Sequence, residues 1–346
     1  MSKLDWSNLG FGIHQTNGLI ASIYKDGYWS EPEVLSDYQL SINCFAGALH
    51  YANSCFEGLK AFNGPDGKIR IFRPEQNARR LKRTADFIDM KCPSEELFIK
   101  MCMMCCDVNR EFIPPYGYNS SLYIRPLLIG VNPQLNLDTS TEYMFLVMCN
   151  PVGTYSGLKH LASVNAVICR DFDRAAPNGT GSYKLSANYA GSFHSYNIAH
   201  ALGIKELLFL DPATKTKVDE FGSSNFFAIK GNKYVTPLSN SVLPSIMNKT
   251  LQQIAADFGL TVEKRVVPYE ELAEFDEVNA CGTAVVITPI YKIVDKPTLS
   301  SDIVTREFIY SEPGVVGETS RKLYDKIRAI QNGEAVDAYN WCVVMD

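Results

Sequence analysis

Apolar residues recur along the chain at two periods, and the period marks the element. Leu81, Ala85 and Ile88 step four and three, which predicts a helix opening at Pro74. After Pro93-Ser94, the stripe Leu97, Met101, Met104, Val108 and Phe112 predicts a second helix. Apolar runs over 121–129 and 143–149 read as strands, and so do 163–170 and 206–211. Residues 192–202 read as a helix stopped by Gly203. The runs 226–229 and 234–236 flank Lys230-Gly231-Asn232-Lys233 as a hairpin. Met247, Leu251, Ile254 and Phe258 step four, three and four in a helix over 244–258 closed by Gly259. A strand over 284–294 and a helix over 319–330, stopped by Gly333, complete the pattern.

The texture changes at Asn150-Pro151-Val152-Gly153-Thr154-Tyr155-Ser156-Gly157, where Pro, Gly, Ser and Asn crowd together. We place an interdomain loop at 151–160, between a domain over 1–150 and a larger one over 161–346. The sum predicts two α+β domains with antiparallel or mixed sheets. Regular strand–helix alternation and a G-x-G-x-x-G string are both missing, which argues against a doubly wound dinucleotide fold.

Composition narrows the class. With 46% hydrophobic and 21% charged residues, the 346-residue chain is globular rather than disordered. The net charge of −5 argues against a bulk basic surface for nucleic acid or anionic lipid. No apolar run reaches the ~20 residues of a membrane span, and residues 1–10 lack a basic start followed by an apolar block, so a cytoplasmic setting is expected. The ten cysteines are scattered and fit reduced thiols. Cys102, Cys105 and Cys106 sit inside the second helix without a matching ligand pair, which favours buried thiols over a metal cluster, and no metal site is expected.

Six strings could carry chemistry, and each has an ordinary structural explanation as well. Lys184 lies between Tyr183 and Tyr189 in a stretch of small residues; a nucleophilic amine there would have to be neutral, and a solvated loop lysine fits equally. Asp219-Glu220 stands before Gly222-Ser223-Ser224-Asn225, where a fixed carboxylate could face a heteroaromatic nitrogen or simply flank a turn. The helix opening 239–246 offers free N–H groups to an anion. Arg79-Arg80-Leu81-Lys82-Arg83 is a solvated face unless one arginine turns inward to a phosphate. In Tyr123-Ile124-Arg125-Pro126, period two puts Tyr123 and Arg125 on one face, and a cation flanked by leucines needs an anion. The amides of Cys281-Gly282-Thr283-Ala284 could hold a carboxylate or phosphate, or serve only as a strand entry.

Taken in order, these strings resemble the branched-chain amino acid aminotransferases, pyridoxal phosphate (PLP) enzymes of fold type IV. The resemblance runs from Leu49-His50-Tyr51 to the last helix. It rests on Phe56-Glu57-Gly58-Leu59-Lys60-Ala61-Phe62, Arg73-Pro74-Glu75 with Asn77 and Arg80-Leu81, Tyr123-Ile124-Arg125-Pro126, Tyr183-Lys184 with Asn188-Tyr189, Glu220 with Asn225-Phe226-Phe227, and Leu243-Pro244 with Gly282-Thr283-Ala284. It implies a small α/β domain and a larger domain with a mixed or antiparallel pseudo-barrel, as in D-amino acid aminotransferase. It further implies that Lys184 forms the Schiff base with PLP and shuttles the proton between Cα and C4′, that Glu220 pairs with the pyridine nitrogen, and that Tyr189 bonds the ring hydroxyl. Arg80, Thr283 and the amides of Ile246 and Met247 hold the phosphate. Tyr123 and the Thr283-Ala284 turn take the substrate α-carboxylate. Tyr51, Phe56 and Tyr155 wall the side-chain pocket, and Arg125 receives the γ-carboxylate of glutamate. The family is dimeric, with Leu135 and Leu137 reaching into the partner's site.

The implied reaction is reversible, ping-pong transamination of L-leucine, L-isoleucine and L-valine with 2-oxoglutarate. D-amino acid aminotransferases carry Arg-x-His where this chain has Arg125-Pro126-Leu127, which favours the L-specific reading over them and over aminodeoxychorismate lyase. A non-catalytic relative would have lost Lys184 or Glu220, and both are present. The chain departs from the family pattern at Met247, which puts no hydroxyl beside the phosphate. The redox C-x-x-C of mammalian relatives falls on Val285 and Thr288, so thiol regulation of that kind is not expected.

Overall fold

Strand pairing in the computed structural model, which describes residues 4–153 and 161–346, follows the alternation of buried and exposed side chains. In chain order the elements are β1 (Leu19–Lys25), β2 (Tyr28–Trp29), β3 (Glu33–Leu35), α1 (Gly47–His50), β4 (Ser54–Phe56), β5 (Leu59–Asn63), β6 (Ile69–Phe72), α2 (Pro74–Phe87), α3 (Glu95–Val108), β7 (Ser121–Gly130) and β8 (Tyr143–Val152). There follow β9 (Val164–Cys169), α4 (Ala187–Ala190), α5 (Phe193–Ala201), β10 (Glu206–Leu210), β11 (Val218–Phe221), β12 (Asn225–Lys230), β13 (Lys233–Pro237), α6 (Ile246–Asp257) and β14 (Thr261–Arg265). The last are β15 (Glu277–Gly282), β16 (Val286–Asp295), β17 (Arg306–Ile309), α7 (Glu318–Asn332) and β18 (Cys342–Met345).

Two compact units result. The first takes the chain ahead of 158, residues 184–187 and residues 329–346; the second takes 158–183 and 188–328. In the first, strands run β18-β6-β5-β7-β8-β1-β2, with β3 on β1 and β4 on β7, all antiparallel. Helices α2 and α3 pack on each other, and α3 packs on β1 and β8. Pro74 opens α2 at its first turn. The Ser94 hydroxyl caps α3 by accepting from the Leu97 amide at 3.2 Å. Cys102, Cys105 and Cys106 are buried on the inner face of α3.

In the second unit, β11-β10-β9-β16-β15-β12 closes into a six-stranded barrel because β12 also pairs with β11. Strands β13 and β14 extend the sheet from β12, and β17 pairs with β16. The pairing is mixed: β9 runs parallel to β10 and β16, and β13 to β14. Val164, Leu208, Phe226, Val278 and Ile290 belong to one buried apolar cluster.

Four boundaries differ from the pattern-based reading. Helix α3 ends at Val108 rather than running through Phe112, because the Asn109 side chain is drawn away to the Gly18 carbonyl and amide. Strand β8 continues through Asn150, Pro151 and Val152, which pair with Tyr123, Leu122 and Ser121. Helix α6 begins at Ile246, with Ser245 as its cap. Strand β16 begins at Val286, and Thr283–Val285 form the preceding turn.

Candidate active site

In the first unit the site is built around an interruption in a ladder. β4 pairs Phe56 with Leu127, and β5 pairs Leu59 with Ile124. Between them Glu57 and Gly58 fall opposite Pro126 and Arg125: the Glu57 amide donates to the Pro126 carbonyl at 2.8 Å, and Pro126, which has no N–H, cannot return the bond, so the ladder breaks there. A Cβ on Gly58 would overlap the Tyr123 hydroxyl, so glycine lets the ring lie on the backbone. Alternation along β7 buries Leu122, Ile124 and Leu128 and leaves Tyr123 and Arg125 half-buried on the other face.

Residues 184–187 join this edge. The Phe56 amide donates to the Lys184 carbonyl, and the Ser186 amide to the Ser54 carbonyl, both at 3.3 Å. The Lys184 amide donates to Thr84 Oγ1 at 3.2 Å. The Lys184 Nζ then lies 4.7 Å from the Phe56 ring centre, and the Arg125 guanidinium carbon lies 4.6 Å from it. Arg125 donates to the Tyr123 hydroxyl at 3.3 Å. Its Nε is buried and bonded to nothing, and none of the ion pairs among the described residues includes it.

Asn77, Arg80 and Thr84 share one face of α2 at spacings of three and four. Arg80 grips the fully buried Glu57 with two parallel bonds, Nε to Oε1 and Nη2 to Oε2, each 2.7 Å. Glu57 Oε2 also accepts from the Asn77 side-chain amide at 2.7 Å and from the Gly58 backbone amide at 3.2 Å. Arg80 is thus the inward arginine of its cluster, whereas Arg79 and Lys82 pair with Glu95 and Asp86 at the exposed surface. Tyr51 is 40% exposed and its hydroxyl donates to the Leu135 carbonyl; Leu135 and Leu137 are 71% and 88% exposed. Tyr155 lies outside the described residues.

In the second unit, Glu220 stands one residue before the end of β11 and is buried. Its Oε1 accepts from Arg174 at 2.8 Å and from the Leu243 amide at 3.2 Å; its Oε2 accepts from Asn225 at 2.7 Å. Burial pushes this carboxyl up to about 7, against the pull of Arg174 and of the two N–H donors. Asn225 also donates to the Leu243 carbonyl at 2.9 Å and accepts from Asn248 at 3.2 Å. Asn248 in turn donates to Thr236 and accepts from Tyr234. This buried network fixes the start of α6 beside Glu220. Ser245 caps the Asn248 amide at 3.1 Å, and the Ile246 and Met247 amides precede the helix's own bonding. The Met247 side chain is buried, so only its amide is available to an anion. Thr283 and Ala284 form the β15–β16 turn, after which Val286 is held at φ 66°, a strained value for a β-branched residue. Asn188 closes the loop before Tyr189 by donating to the Thr180 and Tyr183 carbonyls; Tyr189 itself is half-buried.

Phe56, Tyr123, Arg125 and Lys184 therefore converge within one unit, and Arg80 is tied to the residue after Phe56 through its bonds to Glu57. Glu220 and the α6 start converge within the other. Glu57 and Arg174 hold predicted site residues, and pattern reasoning did not single them out.

Comparison with known proteins fits this constellation. The family model described as amino-transferase class IV matches residues 54–293. The branched-chain-amino-acid aminotransferase of Helicobacter pylori is 39% identical over 345 residues, covering 99% of this chain and 98% of the relative. That of Haemophilus influenzae is 39% identical over 353 residues, covering both chains fully. Among solved structures, the branched-chain amino acid aminotransferase of Thermobaculum terrenum in its PLP form superposes with a TM-score of 0.75 at 25% identity, covering 95% of this chain and 99% of the other.

Proposed function

The chain belongs to the amino-transferase class IV family, and from that premise we propose that it catalyses reversible transamination of L-leucine, L-isoleucine and L-valine with 2-oxoglutarate. The residues fit pyridoxal phosphate as cofactor. A buried carboxylate that accepts only from N–H donors suits a protonated ring nitrogen, and helix amides outside the helix's own bonding suit a phosphate. When bound, PLP supplies an aldehyde for the amino group and a ring that takes up the electron pair released at Cα.

Within this reading Lys184 Nζ carries the proton between the substrate Cα and C4′ of the cofactor. Glu220 keeps the ring-nitrogen proton in place, and Tyr189 donates to the ring hydroxyl. Arg80, Thr283 and the Ile246 and Met247 amides bind the phosphate. Tyr123 and the Thr283-Ala284 turn bind the α-carboxylate. Tyr51, Phe56 and Tyr155 exclude water from the aliphatic side chain. The protein acts as a cytoplasmic homodimer in which Leu135 and Leu137 extend toward the partner's pocket; both are exposed, as that role requires. Among the described residues no helix is long and apolar enough to cross a membrane.

The observation that carries the substrate assignment is Arg125. A guanidinium set over Phe56 and Tyr123, with a buried Nε that has no partner among the described residues, gives an aromatic wall a carboxylate receptor. A site that must accept both aliphatic amino acids and glutamate needs that combination. The test is an amino-donor panel with 2-oxoglutarate: L-Leu, L-Ile and L-Val are expected to give L-glutamate, and D-Ala is not. Activity with D-Ala and none with the branched-chain donors would refute the assignment.

A further inference from the structure

We propose that Arg174 is a positioning residue that keeps the Glu220 carboxylate charged and aimed, so that a heteroaromatic nitrogen placed against Glu220 holds the proton. The inference rests on the reading of Glu220 as the partner of the cofactor nitrogen.

Arg174 is 10% exposed and lies in the loop between β9 and α4. Its Nη2 bonds Glu220 Oε1, the Gly181 carbonyl at 3.3 Å and the Ser241 carbonyl. One guanidinium thus ties together the loop that leads to Lys184, the strand end that bears Glu220 and the turn that leads into α6. Space is reserved for it, because a Cβ on Gly181 would collide with the guanidinium and with the Ser241 carbonyl.

The charges around Glu220 leave Arg174 as its counter-ion. Asp219 is buried beside it, bonded to the Ser241 hydroxyl at 2.7 Å, and disfavours a second negative charge. The Cys281 thiol is buried nearby, and burial first and Glu220 second push its titration up. The Leu243 amide and Asn225 are neutral donors. Without Arg174, burial and Asp219 both favour the protonated acid. A protonated Glu220 would offer its hydrogen to a neutral ring nitrogen. A charged Glu220 accepts from a protonated one, and that charge-assisted bond is the stronger of the two.

The apoenzyme's affinity for PLP can be compared at pH 8 with its affinity for the analogue whose ring nitrogen is replaced by CH. The two ligands share the aldehyde, hydroxyl and phosphate and differ only at the atom facing Glu220. Wild type is expected to prefer PLP strongly. Arg174→Met is expected to shrink that preference at least tenfold, while Arg174→Lys, which keeps the charge, stays within about threefold of wild type. A purely structural role would weaken both ligands alike and leave the ratio intact, which overturns the proposal. If Arg174→Met does not fold, Arg174→Gln takes its place: Gln must lose the preference and Lys must keep it, and any other pairing overturns the proposal. Wild-type protein that binds neither ligand, or binds both equally, overturns the assignment of Glu220 itself. A preference that survives removal of the charge overturns only the role of Arg174.

Discussion

Arg125 has aromatic faces beside it and, among the described residues, no ion-pair partner, and that imbalance predicts which half of the reaction depends on it. A charge-assisted contact to a carboxylate contributes about 1.5–3 kcal/mol, or roughly 10- to 100-fold. Arg125→Met keeps the reach of the side chain and drops the cation. In single turnovers followed by cofactor absorbance, it is expected to slow glutamate by that factor and leave leucine within about threefold. Equal losses for both donors would refute the receptor role. Arg80 presents the opposite case, because Glu57 already grips it. Removing one partner of a buried pair costs about 3–5 kcal/mol, so Glu57→Gln should lower the melting temperature of the apoprotein sharply. Inorganic phosphate should stabilise that variant more than wild type, since an anion at Arg80 restores the missing charge. Lys184, Glu220 and Arg125 were legible in the sequence as residue types in unusual settings. Their holders were not: Glu57 lies 23 residues from Arg80, and Arg174 lies 46 before Glu220, so tertiary register alone pairs them.

The elements that sequence pattern revealed are those whose signals are local. Pro74 and Ser94 open α2 and α3, and Gly231 at φ 54° turns the β12–β13 hairpin. Strand β1 has a distant partner, Ile20 pairing with Val147 of β8, whereas its hairpin with β2 across Asp26-Gly27 is a local signal that the periodicity does not carry, because β2 is only two residues long. The Glu220–Asn225 pair is itself local, but that it closes a barrel depends on the pairings of β9, β10, β15 and β16, which no short window shows. That closure is joined to α6 by Asn248, whose side chain meets Asn225, Thr236, Tyr234 and Gln252. Asn248→Ala leaves several buried polar groups without partners, each costing about 1–3 kcal/mol. The expected result is a loss of at least that much in urea unfolding. Faster cofactor release should accompany it, because the α6 amides are no longer fixed beside Glu220. Unchanged release with lowered stability would separate the network from the phosphate site.

Across the whole molecule, two buried carboxyls bias stability toward the acid side of neutrality. Glu206 opens β10 on the same face as Leu208 and Leu210, which lie in the apolar cluster of the second unit, and among the described residues its Oε2 has no hydrogen-bond partner. Burial alone pushes its carboxyl from 4.5 up to about 7. Glu220 is raised to about 7 as well, again chiefly by burial. A raised folded-state value means that the native protein holds a proton that the unfolded chain releases between those two pH values. Unfolding then releases protons, and stability falls as pH rises from about 4.5 to 7 before levelling off. The difference corresponds to roughly 3 kcal/mol for each carboxyl. Acid-side losses from ion pairs such as Asp66–Arg70, whose carboxyl is held well below the usual range, set in only at lower pH. Glu206→Gln isolates one contribution because it removes the charge and keeps the shape. Urea unfolding of the apoprotein should show the variant more stable than wild type by about 2–3 kcal/mol at pH 8, with the gap closing toward pH 5. A gap that is constant with pH would mean that Glu206 is not protonated in the native state, and a gap of opposite sign at pH 8 would mean that its charge is paired after all.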